Sequence, residues 1–292
     1  MSRFSTIGLI GRPGSTQVVD SLNILYHFLL AKGISVFLET ETAALLERTP
    51  ESTCDRDSLG KRCDLVIVVG GDGSMLGAAR TLCNDTVPVL GINRGNLGFL
   101  TDILPDEVEQ KVAQVLAGEY VREERFLLDA FIFRDGKLID KADAMNEVVI
   151  HRGTSLRMIE FALEINQQFV YSQHSDGLIV STPTGSTAYS LSGGGPILHP
   201  ALDAVSLVPM FPHTLTSRPL VVGGGSMIKV TMGDYQGGQP QLSCDGQTHI
   251  GLHEGDEIHI TKKPHTLSLI HPCHHDFYET CRTKLGWGSR LS

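Results

Sequence analysis

The chain predicts a two-part α/β protein, with an open, mostly parallel sheet over residues 1–120 and a β-rich domain after it. Three features carry that expectation. Strand-like apolar runs alternate with stretches of helical spacing up to residue 120, the order that builds a parallel sheet with helices on both faces. One run, DLVIVV at residues 64–69, is too uniformly apolar for a half-exposed strand and reads as central, buried on both faces. Beyond Tyr120 the pattern becomes period-two alternation around turn residues, which marks antiparallel hairpins.

Taken in order, residues 4–10 alternate as a first strand. Residues 15–32 set Val18, Leu22, Leu25, Tyr26 and Leu29 on one helical face, closed by Gly33. Residues 34–38 form a second strand, and residues 42–47 a short helix before a polar loop. After the central strand, residues 74–82 read as a helix burying Met75, Leu76 and Ala79. Residues 87–92 are another buried strand, and Pro105 opens a helix that Gly118 stops. In the second half, hairpins turn at Asp135-Gly136 and at Asn166-Gln167. Further strands are expected at residues 227–232, 241–244, 257–261 and 266–271, with one helix near 186–192 and a glycine turn within 221–229. The expected domains are 1–120, 121–270 and a segment, 271–292, that returns to the first.

Composition removes several functions. A formal net charge of −9 repels polyanions, so no nucleic-acid partner is expected. Small phosphorylated ligands stay open, because amides and helix N-termini bind phosphate whatever the net charge. No run approaches about 18 apolar residues and the first ten residues lack an export layout, so no membrane partner is expected and a cytoplasmic location is the expectation. Six cysteines without a C-x-x-C pair suit free thiols. The histidine-rich stretch at residues 271–281 fits no standard zinc spacing and reads as a polar surface loop, with Tyr278 and Trp287 as packing residues.

Three clusters carry chemistry. In VVGGDGSMLGAAR (residues 68–80), Gly70 and Gly71 let phosphate oxygens approach the backbone where the central strand ends, and Asp72 can accept a hydroxyl proton or hold Mg²⁺. The same aspartate also reads as a helix N-cap. In SDGLIVSTPTGSTAYSLSGGGP (residues 175–196), Gly185 and several hydroxyls offer donors at a helix start, with Asp176 before a buried strand. In AMNEVVIHR (residues 144–152), Asn146 and Glu147 can bond a ribose diol or an adenine edge, or finish a turn. GRPGST (residues 11–16) follows the first strand and can border a phosphate or simply form a plain turn. No phosphate-loop lysine motif, dinucleotide fingerprint, H-E-x-x-H or nucleophile elbow occurs. A lipid or sugar kinase and a noncatalytic dinucleotide sensor are the competing readings of these residues.

The three clusters in this order, with GINRGNLGFLTD (residues 91–102) between the first two, resemble the bacterial NAD kinases. The resemblance covers nearly the whole chain, including LVPMFPHTLTSRPLV (residues 207–221) and TKLGW (residues 283–287). It implies a phosphofructokinase-like α/β domain, a β-rich domain, and transfer of the ATP γ-phosphoryl group to the 2′-hydroxyl of the adenosine ribose of NAD with a divalent cation such as Mg²⁺. It further implies that Asp72 is the catalytic base or lies by the metal, and that Gly73 lines the NAD site. Asn146, Glu147, Asp176, Thr187, Ala188, Tyr189, Ser190, Leu191 and Ser192 would bind the dinucleotide, with Arg157, His174 and Gln247 at more variable contacts. Members of the family are homodimers or homotetramers. One departure is Gly193, where relatives usually carry alanine, which removes no functional group.

Overall fold

A computed structural model describes residues 4–12, 14–46, 52–95, 98–235 and 237–287. Two compact units divide the chain: residues 1–124 with 267–292, and residues 125–266.

The first unit holds β1 (Thr6–Gly11), α1 (Thr16–Ala31), β2 (Ser35–Glu39), α2 (Thr40–Leu45), β3 (Thr53–Cys54), α3 (Arg56–Arg62), β4 (Leu65–Gly70), α4 (Asp72–Leu82), β5 (Val89–Asn93) and α5 (Val108–Ala117). Its strands pair in parallel in the order β3-β2-β1-β4-β5. Every residue of β4 is buried, as its uninterrupted apolar run requires. Alternate side chains of that strand serve opposite faces: Leu65, Ile67 and Val69 share a core with Leu22 and Leu25 of α1 and Val112 of α5. On the other face, a Cβ at Gly8 would meet Leu59, Cys63 and Val66, so the sequence spends a glycine to seat α3. The strand order reverses between β1 and β4, and in sheets of this kind ligands bind beyond the carboxyl ends at such a switch point. Gly11 and Gly70 end those two strands.

The second unit is antiparallel. In chain order it contains most of β6 (Tyr120–Arg134), then β7 (Lys137–Ala144), β8 (Glu147–His151), β9 (Ile159–Ile165), β10 (Gln168–Ser175), β11 (Gly177–Ser181), α6 (Tyr189–Ser192), β12 (Ala204–Met210), β13 (Leu220–Gly223), β14 (Ile228–Met232), β15 (Gln241–Cys244) and β16 (Thr248–Gly251). One sheet runs β13-β12-β11-β8-β15-β16. The hairpin turns fall at Asp135 and Gly136 and at Asn166 and Gln167, all with positive φ, the left-handed geometry such short connections demand. A single core takes Val148, Ile150, Leu178 and Val180 from this sheet and Phe161, Leu163, Val230 and Ile258 from the other strands.

Three expectations need correction. Residues 257–261 and 266–271 are not separate strands but one, β17 (Glu257–Pro272), followed by α7 (Phe277–Leu285). Pro264 fixes an extended-compatible φ and so need not break a strand, while Lys262 and Lys263 are drawn to Asp203, Asp129 and Asp143 rather than forming a turn. The histidine-rich stretch is only partly a polar surface loop: Cys273 and His274 are exposed, whereas His271 ends β17 fully buried. The expected helix near 186–192 is a 3-10 turn, Gly185–Thr187, and one turn of α6. All six cysteines are free, and no described helix is long and apolar enough to cross a membrane.

Phe161 is a large, fully buried side chain of the second core. Truncation in Phe161→Ala is expected to cost about 3–5 kcal/mol. A circular-dichroism urea titration checks this, and an unchanged midpoint would contradict the packing described.

Candidate active site

Asp72 is the first residue of α4, and Gly71, not Asp72, is its N-cap. The carboxylate is used differently. Its Oδ2 accepts from the Phe99 amide at 2.9 Å, and its Oδ1 accepts from the Leu100 amide and the Thr101 hydroxyl, each at 3.1 Å. A carboxylate offers about four lone-pair sites, so three donors hold it while leaving one for a ligand. Thr101 is itself buried and bonded by the Asn93 side chain at the end of β5. Gly98 completes the clamp, since a Cβ there would overlap Asp72 Oδ1 and Thr101 Oγ1.

A cavity of about 320 Å³ opens at the β1/β4 switch point, lined by Asp72 together with Gly70, Gly71, Asn93 and Gly98. Arg12, Arg94 and Lys284 line it too, and Ser15 brings the start of α1 to its wall. The Arg94 Nε is buried with no hydrogen-bond acceptor among the described residues. Three cations, a helix start and an unmet donor form a site for a polyanion. The lining does not fit a dedicated Mg²⁺ cage. Among the described residues Asp72 is its only carboxylate, both oxygens already accept bonds, and the other charged groups of the lining are cationic. A Mg²⁺ ion commonly takes its ligands from substrate phosphates and water.

The second unit contains a cavity of about 490 Å³ over one face of β8. The alternating residues Glu147, Val149 and His151 line it, whereas Val148 and Ile150 point into the core. Asp176 enters from the start of β11, where Arg152 Nε binds its Oδ1 at 3.0 Å. Tyr189 of α6 lines the cavity as well. The Thr182 hydroxyl donates to the Met145 carbonyl at 2.6 Å, and the Thr182 amide donates to the Asn146 carbonyl at 2.9 Å, so two sequence clusters are stitched together. Gly185 is required at this join, because a Cβ would overlap the Asn146 backbone.

Of the expected site residues, Glu147, Asp176 and Tyr189 share this cavity, while Tyr189 and Ser192 line a neighbouring one of about 460 Å³. Asn146 has its backbone locked beside the first. Thr187, Ala188, Ser190 and Leu191 shape the turn that carries Tyr189, and Ser190 is buried. Arg157, His174 and Gln247 are exposed and lie outside the lining of both cavities; His174 faces Glu160 at 3.6 Å. Gly73 is exposed on α4. Asp245 was not expected from sequence, yet its carboxylate accepts the amides of Met145, Asn146 and Glu147 at 2.9, 2.8 and 3.2 Å. The available signal was Asp245-Gly246, both at positive φ, a hairpin-turn pair between β15 and β16.

Glu147 is the electrostatic outlier. Burial, reinforced by the Asp245 carboxylate, pushes its carboxyl up to about 8, and its Oε2 has no hydrogen-bond partner among the described residues.

An anion crevice on a doubly wound sheet and a polar cavity on an antiparallel one define a two-unit protein for phosphorylated nucleotides. Residues 7–120 match the family described as ATP-NAD kinase N-terminal domain, and residues 145–272 match the ATP-NAD kinase C-terminal domain. The chain is 58% identical over 289 residues to the NAD kinase of Hahella chejuensis (strain KCTC 2396), covering 99% of this chain and 98% of that one. Its fold is similar to that in the crystal structure of yeast NADH kinase complexed with NADH (TM-score 0.89, 24% identity, 99% of this chain and 89% of that one). It is also similar to that of an NAD kinase from Archaeoglobus fulgidus in complex with ATP (TM-score 0.71, 24% identity, 97% of each chain). The chain belongs to the ATP-NAD kinase family, and its parallel α/β sheet and antiparallel β unit form the NAD kinase fold.

The raised Glu147 carboxyl makes stability pH-dependent with a definite sign. Below its ordinary value of 4.5 both folded and unfolded states hold the proton; between 4.5 and about 8 only the folded state does, so stability falls as pH rises and levels off above 8. The loss is about 1.4 kcal/mol per tenfold difference in proton affinity. Glu147→Gln is expected to flatten this slope in urea unfolding of the ligand-free protein at pH 5 and pH 8. Equal slopes in the two proteins would contradict it.

Proposed function

We infer that the chain is an NAD kinase, which moves the γ-phosphoryl group of ATP to the 2′-hydroxyl of the adenosine ribose of NAD and yields NADP. Full-length kinship at 58% identity supports the reaction. The observation that carries the residue roles is Asp72, held by three donors in a crevice whose other charged lining residues are cations.

Phosphoryl transfer through a loose transition state needs positioning and charge stabilisation more than covalent help. Arg12, Arg94, Lys284 and the start of α1 hold the ATP phosphates. A divalent cation, Mg²⁺ in our reading, would be held by those phosphates and water rather than by this lining, and would supply charge neutralisation there. As the ribose oxygen forms its bond to the γ-phosphorus and the bond to the leaving ADP oxygen breaks, the hydroxyl proton passes to Asp72. We read Asp72 as the base: three donors orient its carboxylate and leave one lone pair for the hydroxyl proton.

NAD occupies the cavity over β8. Glu147 and Asp176 are placed to accept from its hydroxyls or adenine amine, and Tyr189 offers a ring face at the wall. Asn146, Thr187, Ala188, Ser190, Leu191 and Ser192 complete the contact, with Gly73, Arg157, His174 and Gln247 in peripheral roles carried by the family resemblance. The same resemblance supports a homodimer or homotetramer in the cytoplasm.

Two outcomes check these roles in an assay coupling NADP formation to an NADP-specific dehydrogenase. Asp72→Asn keeps the fold and NAD binding while turnover falls about 10²–10⁴-fold; near-normal turnover removes Asp72 from the role. Gly98→Ala is expected to displace the carboxylate without touching any charge, lowering kcat by about 10²-fold with little change in KM for NAD. Wild-type kcat in that variant would show that the clamp does not position Asp72.

A further inference from the structure

The crevice beside Asp72 takes one of its three cations, Lys284, from the last turn of α7, far along the chain from Arg12 and Arg94. The contacts that hold that helix therefore set part of the site. α7 has nine residues, too few to persist by itself, since nucleation is costly and isolated helices below about 12–15 residues are marginal. Its buried seam is thin, made by Thr280 and Cys281. Packing of that kind is non-directional and leaves a short helix room to slide or turn.

Directional contacts stand just before the helix. His275 sets its Nδ1 2.9 Å from Asp102 Oδ2, and His271, at the end of β17, sets its own Nδ1 3.0 Å from the same oxygen. Both imidazoles are buried, and they stack with centroids 3.9 Å apart. We read both Nδ1 atoms as donors, because an ionised carboxylate can only accept. Burial opposes the charge on Asp102, yet the hydrogen bonds from His271 and His275 hold its carboxyl well below the usual carboxylate range. Phe277, the first residue of α7, meets Phe99 with ring centroids 6.3 Å apart, and Asp276 caps the helix by accepting from the Tyr278 amide at 2.8 Å.

The anchor belongs to the segment that grips Asp72. Asp102 follows Thr101, whose hydroxyl donates to Asp72, and precedes Ile103, whose carbonyl accepts from the Asn93 amide at 2.8 Å. Phe99, which packs on α7, also gives its amide to Asp72. One short stretch, residues 99–103, thus holds both the Asp72 carboxylate and the start of the helix. We propose that Asp102 is a positioning residue for phosphoryl transfer: by holding His271 and His275 it fixes the start of α7, and with it the place of Lys284 relative to Asp72. The inference rests on the reading of this crevice as the site of the ATP phosphates. Hydrogen bonds suit the task because they set direction as well as distance. A slip of one residue would turn the helix by about 100° and carry Lys284 away from the crevice wall.

Steady-state kinetics of the full-length protein in the coupled NADP assay test this. Lys284→Ala is expected to raise KM for ATP by about 10-fold or more, the size of one lost charge-assisted contact, with KM for NAD within about twofold of wild type. Asp102→Ala is expected to show the same split, and the double variant to be little worse than either alone, because both remove one interaction. A tie that served stability alone would lower the urea midpoint and leave KM for ATP where it was. His275→Ala is expected to raise KM for ATP, and His275→Asn, whose amide nitrogen can stand near the Nδ1 position, to restore most of it. Wild-type KM for ATP in Asp102→Ala, effects that multiply in the double variant, or no recovery in His275→Asn overturn the proposal, while a raised KM in Lys284→Ala keeps the crevice reading. An unchanged KM for ATP in Lys284→Ala overturns that reading and the proposal with it. Should Asp102→Ala not fold, the His275 pair decides: wild-type KM for ATP in His275→Ala overturns the inference.

Discussion

Three hydrogen bonds into the Asp72 carboxylate organise the anion crevice of the first unit. Two come from consecutive amides, Phe99 and Leu100, and the third from the Thr101 hydroxyl. Such a grip orients a short side chain at the mouth of a parallel sheet, where the strands supply backbone but no rigid neighbours. It also explains why position 98 has no room for a side chain: Gly98 leaves space for the oxygen that a Cβ would otherwise meet. The helix that Asp72 begins is then a carrier, and the segment after β5 is the clamp.

The second unit repeats the device with a different purpose. Asp245 accepts three consecutive amides, those of Met145, Asn146 and Glu147, and thereby fixes the entry to β8. In doing so it places a carboxylate beside Glu147, whose ionisation is already opposed by burial. A buried acid without a partner on Oε2 is a cost to the empty protein. A ligand hydroxyl or amine would relieve that cost, which is the part we propose for Glu147.

Much of the site was readable from residue patterns, for local reasons. The run ending in Gly70-Gly71-Asp72 announces a buried strand, a tight exit and a side chain at the rim, because burial, glycine and helix start are all short-range properties. The Thr182–Ser186 and Asn146-Glu147 clusters were likewise visible, since hydroxyl-rich turns declare themselves. Asp245 passed unnoticed because an Asp-Gly pair reads as a turn, and nothing nearby in sequence shows that its carboxylate reaches residues about a hundred positions earlier. His271 was read as part of a surface loop for the same reason: its partner Asp102 lies 169 residues away.

Sequence by itself determined the alternation of strands and helices, the change to antiparallel hairpins, the chemistry of each cluster and the kinship, because periodicity, turn residues and contiguous motifs are written along the chain. Tertiary structure alone decided the strand order that puts Gly11 and Gly70 at one switch point, the pairing of β8 with β11 and β15, and the carboxylates that meet distant amides and imidazoles. Those choices depend on which buried faces fit together and which polar atoms must find partners once water is excluded, and neither condition exists until the chain has folded.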